Sequence, residues 1–398
     1  MLFRSFRYRG FAASPLQGTP QGIAVYLNGM RLNEAFGDTV NWDLIPNAAI
    51  DRADIWTNNP VFGLNALGGA VSIQLKSGFT YQGNEAELQG GSSRRLSGSL
   101  QYGQQKDGFA VYAAAEGLTD SGWRYQSPSR IKRLYGDLGW RGERGEAHLS
   151  GGFGSNFFGV VGPTPIDLLS RDYKSVYTWP QTTRNETSFL AFNGRYDLFD
   201  RWSMQNNLYV RKFRQRHVDG NDAELERCSG NPMNPLFNTL CLEDDGFPSQ
   251  PKANFQILNS NNQPINCPPG PGNTCATTPW GTVDRTATDA LTVGGSLQVT
   301  SNAKLFGHDN YFTAGTSIDH SWINFGADSE LGTIFPDLSV GPNPAVPGTG
   351  VIIHTAGNLG YSPVSLAAQN TAFFVTTAMR VKRSEEHTSE LQSPYVIS

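Results

Sequence analysis

Arg133-Leu134-Tyr135-Gly136-Asp137-Leu138-Gly139-Trp140-Arg141 and, four residues on, Glu146-Ala147-His148-Leu149-Ser150-Gly151-Gly152-Phe153 carry the pattern that decides the fold. Leu134, Leu138 and Trp140 alternate with Arg133, Tyr135, Asp137 and Arg141. Ala147, Leu149 and Phe153 alternate in the same way with Glu146, His148 and Ser150. A period of two sends successive side chains to opposite faces of a strand, here one apolar face and one polar, often charged face. The link Gly142–Gly145 is short, so the pair reads as a hairpin.

The same texture extends in both directions. From Gly83 onward, ten strands are expected near 85–91, 96–102, 109–118, 133–141, 147–153, 190–198, 202–213, 291–299, 311–325 and 370–381. The links after strands two, four, six and eight are short (105–108, 142–145, 200–201 and 302–309). Those after three, five, seven and nine are long (119–130, 155–185, 216–288 and 326–366). Only the first hairpin, at Ser92-Ser93, is short on the long-loop side. A soluble β-sandwich, the competing reading, also alternates but has no reason to gather its long loops at one end. A transmembrane β-barrel does, with tight turns inside and long loops outside. Arg133, Asp137, Arg195, Asp197 and Arg211 on the polar face require a watery lumen or a plug. Tyr102, Trp140, Phe153 and Tyr196 near strand ends suit the aromatic girdles of a lipid-facing surface.

Composition agrees. The 398 residues include 44 glycines, and 17% are charged. Ordinary soluble domains carry about 25% charge and about 7% glycine. The sparse charge excludes a coiled coil or long helical solenoid. Twenty-three Phe, 14 Tyr and 8 Trp are too many rings to leave unburied in a disordered chain. The net charge is −4, from 31 basic and 35 acidic residues, with no run of five or six like charges. Nothing in that distribution points to nucleic acid or to a polybasic membrane patch. No apolar run reaches 18 residues, so no transmembrane helix is expected, and the opening Met1–Gly10 has no apolar signal core.

Upstream of the strands, Phe6–Ser77 reads as a small α+β unit. Ile23–Leu27 is a strand followed by the turn pair Asn28-Gly29, Trp42–Ile55 a short helix and a strand, and Ala70–Leu75 a further strand. Ile50-Asp51-Arg52-Ala53-Asp54-Ile55 is similar to the Ile-Glu-Arg-Ile-Glu-Val strand in the plug domain of TonB-dependent outer-membrane receptors. Phe62-Gly63-Leu64-Asn65-Ala66-Leu67-Gly68-Gly69-Ala70-Val71-Ser72-Ile73 resembles the Tyr-Gly-x-x-Ala-x-Gly-Gly-x-Ile-x-Ile segment that follows it. Val25-Tyr26-Leu27-Asn28-Gly29-Met30 resembles the earlier Val-Tyr-x-Asp-Gly-Val, with Asn28 at the usually acidic position. Trp56-Thr57-Asn58-Asn59 replaces the usual Leu-Arg-Gly. The plug-motif residues are thus Asp51, Arg52, Gly63, Asn65, Gly68 and Gly69. Gly68-Gly69 supply the positive φ and close backbone approach that a chain turning inside a barrel requires.

The resemblance implies an all-β membrane barrel, incomplete at about ten antiparallel strands of the family's 22, with a small α+β plug domain. The expected division is 6–80 for the C-terminal part of the plug and 81–382 for the N-terminal part of the barrel. Residues 1–5 and 383–398 are expected to be non-native. Arg383–Ser393 resembles a translated sequencing-library adapter, and Met1–Ser5 resembles its opposite strand. A signal peptide and TonB box are then expected to lie outside this fragment, whose open sheet edges would favour aggregation over insertion.

The four cysteines, Cys228, Cys241, Cys267 and Cys275, all fall in the longest outer loop, where disulfides are permitted. Three pairings are possible. Cys228–Cys241 with Cys267–Cys275 closes the shortest loops, and no Cys-x-x-Cys spacing supports zinc. Asp219–Glu226 lacks the glycine of a calcium loop. No metal or cofactor site is expected. There is no His-Glu-x-x-His, Gly-x-Ser-x-Gly or Walker motif, so no enzyme is expected either. Phe157, Phe158, Tyr173, Tyr177 and Trp179 in the 155–185 loop are candidate substrate contacts, with girdle or loop packing as the alternative. Arg171 and Lys174 in the same loop are candidates for attracting an anion.

The resemblance implies TonB-dependent uptake of siderophore-bound iron, cobalamin or a glycan across the bacterial outer membrane. The implied partners are TonB, outer-membrane lipid and a small-molecule or metal-chelate substrate, with no nucleic acid. The alternatives are a passive porin-like or adhesive barrel and a secreted β-rich hydrolase.

Overall fold

Apolar runs with β-branched residues, broken by Asn-Gly and Gly-Gly, fold the early part of the chain into a compact sheet. The computed structural model describes residues 5–16, 19, 21–57, 66–243, 249–304, 306 and 308–381. Gly63 and Asn65 of the plug motif, most of the expected opening segment 1–5 and the tail 383–398 lie outside the described residues.

The small sheet contains β1 (Ile23–Leu27), β2 (Met30–Arg31), β3 (Ile50–Trp56) and β4 (Gly69–Leu75), in the order β2-β1-β4-β3. β1 and β4 are parallel, and the other pairs are antiparallel. The helix expected between Trp42 and Ile50 is two 3₁₀ turns, Trp42–Leu44 and Asn47–Ala49. Ile23, Val25, Leu27, Val71, Ile73 and Leu75 bury one face. Asp51 and Arg52 sit exposed on edge strand β3, where Arg52 Nε lies 3.4 Å from Asp54.

Gly69 has φ +147°, and a Cβ there would lie 2.7 Å from the Trp56 carbonyl, while Gly68 packs under the Phe11 ring. Gly69→Val therefore meets both a disfavoured backbone and a main-chain collision. A loss of about 2–3 kcal/mol is expected, read as a lower unfolding midpoint of the plug in the full-length protein.

The large sheet contains β5 (Gly83–Gly91), β6 (Arg95–Lys106), β7 (Phe109–Asp120), β8 (Ser129–Arg141) and β9 (Gly145–Gly159). It continues through β10 (Gln181–Phe199), β11 (Trp202–Asp222), β12 (Trp280–Ser301), β13 (Asn310–Ile334) and β14 (Val364–Val381). Each of these strands pairs antiparallel with its neighbours in chain order. The sheet does not close: among the described residues β5 and β14 have a partner on one side only.

All ten expected strands are present, but several reach much further toward the long-loop end than their apolar alternation. β10 begins at Gln181 and β11 ends at Asp222, so Phe157 and Phe158 lie in β9 rather than in a loop. The reason is physical: above the lipid both faces of a strand meet water, so pairing continues after the apolar signal has stopped.

Leu134, Leu138, Trp140, Leu149, Phe153, Leu190, Phe192 and Tyr196 are exposed on the outer face. On the inner face Tyr112, Ala114, Tyr135, Ala191 and Tyr209 pack against Val25, Leu27, Met30 and Val40, joining wall and plug in one core. The structure is an all-β membrane barrel, incomplete, around a small α+β plug.

Candidate functional site

The plug meets the wall through its 33–49 segment, where the two 3₁₀ turns leave backbone and side-chain polar groups facing the strands. Glu34 and Arg211 form an ion pair in which the side chains are 3% and 7% exposed, and Asn41 also donates to Glu34 at 3.4 Å. Burial pushes the Glu34 carboxyl up from its ordinary range, and the Arg211 charge and hydrogen bond pull it part of the way back. Asn156 donates to Asp43, and Asn185 donates to Asn41 at 3.3 Å.

A second anchor is built on β7 and β8. The Glu116 carboxylate accepts from the backbone N–H of Asn47 and Ala48 at 3.0 and 2.6 Å, capping the second 3₁₀ turn. Arg133 lies 3.3 Å from Glu116 and donates to the Ile45 carbonyl. Lys76 donates to the Ala48 carbonyl at 2.8 Å and to Gln101 at 3.1 Å. Gly154 of β9 allows a close approach of wall and plug, since a Cβ there would lie 2.8 Å from the Leu44 carbonyl.

Asn28 has a local role that a carboxylate would not fill. Its φ is +47°, its side-chain oxygen accepts from Leu75 N at 2.8 Å, and its amide nitrogen donates to the Tyr135 hydroxyl at 3.3 Å. Its carbonyl accepts from Asn207 of β11 at 3.2 Å. An amide satisfies acceptor and donor needs together, whereas an ionised Asp could only accept.

At the other end the long loops build a rim. Cys228 pairs with Cys241 and Cys267 with Cys275. The 223–279 loop has its own core of Leu240, Ile257 and Cys275, completed by Trp280 of β12, Leu331 of β13 and Ile353 of the 335–363 loop. Ile257–Asn259 pairs with Ile353–Thr355 across the two loops. The disulfides are therefore not alone in ordering a segment that is poor in apolar residues, because a neighbouring loop supplies the missing surface.

The aromatic candidates separate. Phe157 faces outward beneath the Arg130 guanidinium, at 5.8 Å, and Phe158 is buried. The Trp179 indole donates to the Asp337 carbonyl at 3.0 Å, packing one loop on another. The Tyr177 hydroxyl is 3.5 Å from Asp222 and the ring is half-buried. Tyr173 alone of the five is well exposed, at 64%, and it stacks on Trp123 with ring centroids 6.2 Å apart and planes 15° apart. Arg124 lies over Trp123 and Lys174 over Tyr173. Trp123-Arg124-Tyr125 escaped the sequence reading, although an aromatic–basic–aromatic run in an outer loop was a usable signal.

No protein-family model and none of the curated proteins matches the chain in sequence. Solved structures do match its fold. One is the siderophore receptor PiuA from Acinetobacter baumannii, at 12% identity over 95% of this chain and 50% of that one, with a TM-score of 0.57. Another is the ferric citrate transporter FecA in its unliganded form, at 9% identity, 94% and 47% coverage, and a TM-score of 0.57. A third is the ferripyoverdine receptor of the outer membrane of Pseudomonas aeruginosa, at 12% identity, 95% and 48% coverage, and a TM-score of 0.55. The chain spans about half the length of the structures that it matches. With its plug sheet pinned to the inner wall of an open strand array, it has the plug-and-barrel fold of the TonB-dependent outer-membrane receptors.

Proposed function

We propose that the full-length protein is a receptor of the bacterial outer membrane that takes up a scarce iron chelate by TonB-dependent transport, and that it is not an enzyme. The observation that carries this reading is the seat of the plug. Glu34–Arg211 and the Glu116–Arg133 anchor hold a folded sheet against the lumenal wall, where a passive pore would be open. A plug held in this way opens only if work is done on it, which fits a pull transmitted from outside the barrel. Siderophore and ferric citrate receptors among the structural neighbours favour an iron chelate over cobalamin or a glycan. The stacked Trp123–Tyr173 pair, with Arg124 and Lys174 beside it, is the proposed first contact for a planar, anionic chelate.

The test is uptake of radioactive iron, presented as a panel of chelates, by cells expressing the full-length gene with and without TonB. Uptake of at least one chelate should fall to background when TonB is deleted. Uptake indifferent to TonB would replace this reading with a passive porin. In the same cells, Trp123→Ala with Tyr173→Ala should weaken binding of that chelate about tenfold. Energy-independent binding measured in the cold checks this, and unchanged binding would move the contact elsewhere.

A further inference from the structure

Where the plug runs into the wall, a lysine and a glutamine are held as two reacting partners would be. Lys76 follows β4 directly, and its backbone N–H is tied to the Ala49 carbonyl at 2.7 Å. Its ammonium donates to the side-chain carbonyl of Gln101 on β6 at 3.1 Å and to the Ala48 carbonyl at 2.8 Å. The face of the Tyr81 ring lies 4.9 Å from the same nitrogen. None of these partners is a carboxylate, so among the described residues no ion pair would have to break before the amine could react.

Gln101 is 8% exposed, and both ends of its amide are engaged. The Tyr112 hydroxyl, on β7 and nearly inaccessible, donates to the amide oxygen at 2.9 Å. The amide nitrogen donates at 3.0 Å to Glu85, which stands directly opposite Gln101 on β5. Glu85 also accepts from the Tyr81 hydroxyl at 3.3 Å and is itself exposed, so it can exchange protons with water. The Tyr81 and Tyr112 rings meet edge to face at 5.7 Å and brace the arrangement from both sides.

A cluster built only to seat the plug needs one donor on the Gln101 oxygen. This one supplies an amine nucleophile at a carbonyl, a second donor where negative charge would develop, and a carboxyl group on the nitrogen that would leave. Those are the parts of an acyl transfer.

We propose that Lys76 and Gln101 form an isopeptide bond that ties the C-terminal end of the plug to the barrel wall. The Nζ lone pair bonds to Cδ of Gln101 as the carbonyl π pair moves onto Oε1, where the Tyr112 hydroxyl donates. The pair then returns, the Cδ–Nε2 bond breaks, and Nε2 leaves. The Lys76 ammonium gives up two protons in all, and both depart with Nε2 as ammonium, relayed by Glu85, which ends unchanged. One amide replaces another, nothing is oxidised or reduced, and escape of the ammonium carries the exchange forward. Holding amine and amide together supplies the proximity that this slow exchange lacks in solution. The bond passes a pull that reaches β4 straight into β6, while the plug residues before Lys76 stay free to move.

The inference does not depend on which ligand the receptor carries. Full-length protein is extracted from outer membranes at intervals after induction and digested, and the peptides carrying Lys76 and Gln101 are followed by mass spectrometry. The wild type should accumulate one branched peptide, lighter than its two separate parts together by one ammonia. Lys76→Arg, which keeps the charge and the hydrogen bonds, should give none. Glu85→Gln should form the branch about 100-fold more slowly. Separate, unmodified peptides from wild-type protein at every interval would overturn the bond. Branch formation by Glu85→Gln at the wild-type rate would overturn the role given to Glu85. Migration before and after boiling, compared between wild type and variants, reports that each extracted protein is folded.

Discussion

Replacing Arg211 with Met in the full-length protein is expected to loosen the plug from the wall by about 3–5 kcal/mol, the cost of stranding one partner of a buried ion pair. Glu34 and Arg211 are nearly inaccessible, and Asn41 also donates to the Glu34 carboxylate. Without Arg211 the carboxylate must be desolvated with only amide support or take up a proton. The measurement is hydrogen exchange of backbone amides in 23–49, which should quicken by at least two orders of magnitude, while exchange in β6–β9 stays slow. Unchanged exchange in 23–49 would mean that the pair does not hold the plug. The Arg211→Met, Glu34→Gln double variant should recover much of the loss, because it removes the stranded charge as well.

The pH dependence of this effect has a definite sign. Burial raises the Glu34 carboxyl above its ordinary range even with Arg211 present. The seated carboxyl then binds its proton more tightly than the free one. Its contribution to seating is fully present at low pH and is lost as pH rises from the ordinary carboxylate range through the raised value. Removing Arg211 removes the main opposing pull, so the penalty of Arg211→Met should be smaller at low pH and grow as pH rises. A penalty that shrinks with rising pH would contradict the assignment.

The second large effect is expected in the outer loops. Cys228→Ser with Cys241→Ser opens a cross-link spanning 13 residues, worth about 3 kcal/mol in the chain-entropy account. Cys241 is fully buried, and the neighbouring Leu240 and Ile257 belong to the core shared with Ile353. The 223–279 loop should therefore lose its order together with its pairing to 335–363. Limited proteolysis within 223–279 should accelerate roughly 100-fold without cleavage in the strands. Cleavage at the wild-type rate would show that the two-loop core holds this region without the cross-link.

The parts of the fold that were legible in sequence are those where one chemical contrast repeats. Leu134, Leu138 and Trp140 against Arg133, Tyr135 and Asp137 mark a strand between lipid and lumen, and the alternating loop lengths give its direction. Gly68-Gly69 in the plug is legible because few residues other than glycine accept the backbone observed at Gly69. Legibility ends where the contrast ends. The sequence pattern places Phe157 and Phe158 in a loop because their strand has risen above the lipid, where polar residues occupy both faces. Their roles then diverged by parity alone, Phe157 outward and Phe158 inward.

The charged features show the same boundary most clearly. No run of five or six like charges occurs in the chain, and on that basis the sequence predicts no polybasic membrane surface. Arg130, Lys132, Arg184, Lys212, Arg214 and Arg216 are scattered over nearly ninety positions, and only the register of four strands makes them one belt. Glu34 and Arg211 are equally remote from each other in sequence, as are Trp123 and Tyr173. By itself the sequence determined the class of fold, the order of strands and the plug that precedes them, because alternation and glycine spacing are local consequences of backbone geometry. The tertiary structure alone decided which charges are buried together, which rings stack at the rim and which cations share the lipid face. Such pairings depend on register and closure distance, which no local pattern encodes.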